Sequence, residues 1–127
     1  MKPSELIGKV EAYFENPNHF TQGAWGKDAK GNTLGFDELQ EIARGTDARR
    51  RSVNCMCTKG ALGYFAAETV TRWEDEDEAD ICLQRAILEV PSPFAYISVT
   101  TFNDNSQLED IRGVLKRARE LALANNR

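Results

Sequence analysis

Seven residues, Val53, Met56, Cys57, Gly60, Ala61, Tyr64 and Phe65, recur at three- and four-residue steps and share one face of a helix over residues 52–68. An apolar stripe of that width has to be covered by several neighbours, so this segment is expected to be the central helix around which the rest packs. Gly60 lies on the stripe. A helical glycine costs stability unless its missing side chain is used, and its position predicts that another backbone approaches closely there.

The flanking segments supply the covering elements. Ser4 can cap a first helix that carries Glu5 in its first turn and Leu6, Ile7, Val10, Tyr13 and Phe14 at helical spacing, and Asn16-Pro17-Asn18 stops it. Phe20 to Lys27 reads as a strand, Asp28-Ala-Lys-Gly31-Asn32 as a turn, and Thr33-Leu34 as a return strand, which together make a β-hairpin. Asp37 opens a short helix through Leu39, Ile42 and Ala43 that Gly45 closes. An acidic stretch from Glu74 to Asp80 leads into a helix burying Ala79, Cys82, Leu83, Ala86, Ile87 and Val90, and Pro91-Ser-Pro93 ends it. Phe94 to Phe102 is rich in β-branched and aromatic residues and reads as a strand that pairs with the hairpin. Ser106-Gln-Leu-Glu109 is a capping box for a last helix with Leu108, Ile111, Leu115, Ala118 and Ala122 inward. The expected fold is α+β, mainly α: about five helices around the central one, with a small antiparallel β element, in a single globular domain over residues 1–127.

Composition narrows the function classes. The 127 residues are 41% hydrophobic, enough for one core without covalent staples. No apolar run approaches the 18 residues of a bilayer crossing, and Met1-Lys-Pro-Ser-Glu has no leader-like apolar block, so neither a membrane nor export is expected. Three cysteines, an odd number, fit reduced thiols in a cytoplasmic setting better than a disulfide framework. A net charge of −4 argues against general attraction to nucleic-acid backbones.

Few residues carry candidate chemistry. On a helix Cys55 and Cys57 point about 200° apart, so they do not chelate one metal together, and adding Cys82 and His19 brings no second paired spacing; no metal and no cofactor is expected. His19, the only histidine, is the one available base for Cys55 or Cys57, with Asn103 or Asp104 as orienting group, yet Cys57 reads as a stripe residue and not as a helix start. Asn103-Asp104-Asn105 either orients a polar ligand ahead of a helix or shapes the turn into it. Gln22 and Trp25 either pin the hairpin to the core or line a pocket. Arg49, Arg50 and Arg51, close to Arg44, suit phosphate or carboxylate recognition, or form a solvated loop facing the acidic 74–80 stretch.

Three short segments, Phe20-Thr-Gln22-Gly23-Ala-Trp25, Cys57-Thr-Lys-Gly60-Ala61-Leu62 and Phe102-Asn103-Asp104, occur in this order in one small chain. Together they resemble a family of short, uncharacterised bacterial and phage proteins, a domain of unknown function, over about residues 10 to 123. The resemblance implies no activity. It implies a small non-enzymatic accessory protein of phage or mobile-element type that binds an unidentified partner. Two alternatives come from the residues. One is a binder of a small polar ligand, including a nucleotide signal, through Arg49, Arg50 and Arg51 with Gln22, Trp25, Asn103 and Asp104. The other is a hydrolase or transferase that depends on Cys57 or Asp104.

Overall fold

The computed structural model describes residues 1–91 and 98–127. Helix α1 (Pro3–Tyr13) starts two residues earlier than a Ser4 cap would place it, because Pro3 supplies the preset φ of a first helical position and the Glu5 carboxylate takes the Lys2 amide at 3.0 Å. A 3-10 turn (Pro17–His19) leads to strand β1 (Gly26–Asp28), and β2 (Thr33–Leu34) returns from it. Asp28 holds that turn: its Oδ1 accepts the Lys30 and Asn32 amides, each at 2.9 Å, while Gly31 takes a φ of +84°. Helices α2 (Phe36–Ala43) and α3 (Asp47–Arg50) precede strand β3 (Val53–Met56). Helices α4 (Thr58–Glu68), α5 (Trp73–Leu88), α6 (Val99–Asp104) and α7 (Leu108–Ala124) complete the chain. The fold is α+β and mainly α, as its sequence predicts, with seven α-helices among the described residues.

The sheet is antiparallel, in the order β2-β1-β3, with Gly26 opposite both Leu34 and Met56. Among the described residues its third strand is therefore β3, and residues 98–102 are not part of it. Residues 53–57 satisfy helical spacing by coincidence. A four-residue strand with Cys55 and Met56 buried fits the same letters, and the helix begins only after Cys57, whose φ and ψ of −78° and 171° are extended. Of the strand expected over Phe94 to Phe102, residues 94–97 lie outside the described residues. The remainder is helix: the Ser98 hydroxyl accepts the Thr101 amide at 3.1 Å, and Val99, Phe102 and Asn103 are buried at helical spacing. A cap and a buried face outweigh the β preference of Val99-Thr100-Thr101.

Helix α4 lies at the centre, packed by α1 and α2, while α5 and α7 pair with one another beside α1. The core is one continuous cluster that includes Leu6, Phe14, Leu39, Leu62, Leu83 and Leu115. Two glycines on α4 set the approach distances. A side chain at Gly63 would strike the Phe36 ring of α2, and one at Gly60 would press into the Trp25 carbonyl. The backbone approach expected at Gly60 is thus made by the segment entering β1. Arg112 donates to the Phe14 carbonyl at 2.7 and 3.1 Å and closes the C-terminal end of α1 with a side chain from α7.

Candidate functional site

The start of α4 is where distant parts of the chain meet. Cys57 is its N-cap and not a stripe residue: Sγ accepts the Gly60 amide at 3.3 Å, while the Cys57 amide donates to the Trp25 carbonyl at 3.0 Å. The next residue, Thr58, donates both its amide, at 2.9 Å, and its hydroxyl, at 2.7 Å, to Oδ1 of Asn103. Asn103 has no exposed surface, and its Nδ2 donates to the Thr21 carbonyl and to Asp104 Oδ1, each at 3.1 Å. That single amide ties α6, the first turn of α4 and the segment before β1 together, with its donors and its acceptor all used.

Two further bonds tighten the junction. Gln22 Nε2 donates to the carbonyls of Asn103 and Ser106 at 2.9 and 2.7 Å. The Gly23 amide, in a residue with φ of +77°, donates to Asp104 Oδ1 at 3.0 Å. The segments 20–25, 57–62 and 102–104 are therefore neighbours in space, joined by bonds spanning up to 82 residues of sequence.

Beside this junction opens a cavity of about 360 Å³, walled by Trp25, Thr33, Leu34, Cys57, Thr100 and Asp104. Trp25 is 37% exposed at its rim, and its indole is braced against Phe36 in an edge-to-face contact, ring centres 5.2 Å apart. The Asp104 carboxylate reaches the cavity from an exposed position, held in place through one oxygen. Cys57 forms part of the wall, yet it is only 1% exposed. Burial pushes its thiol above the usual range, against the opposing effect of the α4 amides, and the nearby Asp104 charge pushes the same way.

The candidate site residues thus separate into three groups. Trp25 and Asp104 share the cavity. Gln22 and Asn103 stand beside it with their amides committed to backbone and Thr58. Arg49, Arg50 and Arg51 sit at the end of α3, and none of them lines the cavity. Arg50 donates to the Ala43 carbonyl at 2.8 Å and pairs with Asp47. Among the described ion pairs the acidic stretch takes Lys59, Arg72 and Arg127 instead of these arginines.

His19 stacks on Tyr13, ring centres 4.3 Å apart, and its Nδ1 donates to the Tyr13 carbonyl at 2.8 Å, so its described bond is to backbone and not to a thiol. The three thiols are buried and free, and no cluster of three or more His, Cys, Asp or Glu able to hold a metal forms among the described residues. Sequence reasoning missed Thr58, Thr33 and Thr100. Thr58 was legible in principle, since a threonine following a capping residue exposes two donors that a buried helix start must satisfy.

Among the described residues no helix is long and apolar enough to cross a membrane. No curated protein and no solved structure matches the chain. A family of unknown function, DUF6197, matches residues 1–121, and with nearly its whole length covered the chain belongs to that family.

Proposed function

We propose that the protein acts by binding and not by turnover, and that the cavity between the hairpin, the start of α4 and α6 is where a small molecule is held. One observation carries this reading: the two side chains with free recognition surface, Trp25 and Asp104, converge on a concavity whose supporting groups are already locked by internal bonds. Preorganised walls of this kind lower the entropic cost of capture. The volume sits near the lower end of the range for ligand pockets, about 300–1,000 Å³, which suits a ligand of one ring or a short chain. A buried Cys57 held as the neutral thiol is a poor nucleophile, which weighs against the hydrolase or transferase alternative.

The accessory role in a phage or mobile element rests on the family resemblance, and a binder that senses or sequesters a small molecule is compatible with it. The test is an amide chemical-shift titration of the isotopically labelled protein with single-ring probes. Saturable shifts should centre on Gly23, Trp25 and Thr100. Shifts scattered over the surface, or none with any probe, would contradict the reading.

A further inference from the structure

The charges around the cavity bear on which ligand it takes. Asp104 is the one formally charged residue among those described as lining it, and residues 92–97, Ser-Pro-Phe-Ala-Tyr-Ile, carry no formal charge at neutral pH. A helix start beside a cavity ordinarily favours an anion, because its first amides are free donors. Here three donors at that start are occupied. The Thr58 amide is taken by Asn103, the Gly60 amide by the Cys57 sulfur, and the amide of Cys57 itself by the Trp25 carbonyl. The Gly23 amide, another backbone donor at this edge, is spent on Asp104. An entering anion would meet a carboxylate and no free backbone donor among these four.

A cation meets the opposite arrangement. Asp104 uses only Oδ1 in its described bonds, to Gly23 and Asn103, which leaves Oδ2 to accept from a ligand. Trp25, partly exposed beside Phe36, supplies an aromatic ring at the rim, and Thr33 and Thr100 are polar residues of the wall. Leu34 adds an apolar wall. We infer that the cavity takes a small organic monocation, an ammonium or amidinium group carried on one flat ring or a short apolar chain. In that arrangement the charged head lies against Asp104 and the body against Trp25. This deepens the binding reading above and rests on it.

Three probes of nearly equal size and different charge test the inference: benzylammonium, benzyl alcohol and benzoate, titrated into the labelled full-length protein at neutral pH. Benzylammonium should shift the Gly23 amide and the Trp25 indole N–H saturably, with an affinity about 10-fold or more above that of the alcohol, and benzoate weaker still. Asp104→Asn keeps an oxygen for the Gly23 amide while removing the charge, and it should bring benzylammonium and benzyl alcohol to within about 3-fold of each other. Benzoate or the alcohol binding in the cavity as tightly as benzylammonium overturns the cation inference and leaves the binding site standing. Failure of all three probes to shift cavity resonances overturns the binding reading, and the inference with it.

Discussion

Asn103 does at the scale of one residue what a disulfide does elsewhere: it fixes three segments that are remote in sequence. Asn103→Ala leaves the Thr58 amide and the Thr21 carbonyl without their partners in a buried place, so a loss of about 2–4 kcal/mol is expected in chemical denaturation. Asn103→Asp is the sharper control. It preserves the acceptor for Thr58 but turns a donor into a carboxylate oxygen facing Asp104 and the Thr21 carbonyl, and it should destabilise as well. A midpoint unchanged in both variants would show that the amide is not the tie described here. At Gly60 the expectation is equally local: a methyl group there meets the Trp25 carbonyl, a backbone atom that cannot rotate away. Gly60→Ala should cost roughly 1–3 kcal/mol despite alanine's better helix propensity, and a gain in stability would contradict the close approach.

Among the elements, the end of α4 is the most telling. It closes with the Thr71 amide on the Ala66 carbonyl at 2.8 Å and the Val70 amide on the Ala67 carbonyl at 3.2 Å, a Schellman closure whose left-handed position is filled by Val70 at φ of +52°. A β-branched residue is strained in that conformation, and Val70 is 86% exposed, so little packing opposes its removal. Val70→Gly should raise the unfolding midpoint, by about 0.5–1 kcal/mol after the extra chain entropy of glycine is deducted. A lower midpoint would mean that the exposed valine makes contacts that outweigh its strain. The same helix shows what its sequence conveys and what it hides. Its inward residues Ala61 and Tyr64, its centrality and the special place of Gly60 were legible, because burial imposes a period. Its start was not, because Val53, Met56 and Cys57 satisfy helix and strand alike, and the choice was made by pairing with β1, a partner 25 or more residues away. Likewise α6 was hidden behind three β-branched residues, whose preference a single serine cap and a buried face overrode.

Across the whole molecule, the site was legible only as a set of residue types. The sequence singled out Trp25, Asp104, Gln22 and Asn103, but their division into two that face a cavity and two that build its frame depends on long-range geometry. The three arginines clustered in sequence for a local reason, the last turn of a short helix, and took positions away from the cavity. Another property belongs to the molecule as a whole. Burial pushes the thiols of Cys57 and Cys82 and the phenols of Tyr13 and Tyr64 upward, so each is held neutral more firmly when folded than when unfolded. For groups shifted in this direction the stability is fully present below the unfolded pKa and is lost as pH climbs toward the folded one. Denaturation midpoints should therefore hold steady with respect to these groups through neutral pH and fall above about pH 8.5. Stability that rises across that alkaline range would contradict their burial as neutral groups.

The separation of frame from recognition surface is tested most directly by Trp25→Ala. The backbone carbonyl of residue 25 accepts the Cys57 amide and lies against Gly60, but its side chain is partly exposed and braced by Phe36. The amide spectrum of this variant should stay native-like outside the hairpin and its neighbours, with a stability loss of no more than about 1–2 kcal/mol. Titrated with benzylammonium, it should give no saturable shift at Gly23, where the parent protein gives one. A variant that binds the probe as tightly as the parent, or one that no longer folds, would contradict the assignment of Trp25 to recognition and of Asn103, Thr58 and Gly60 to the frame.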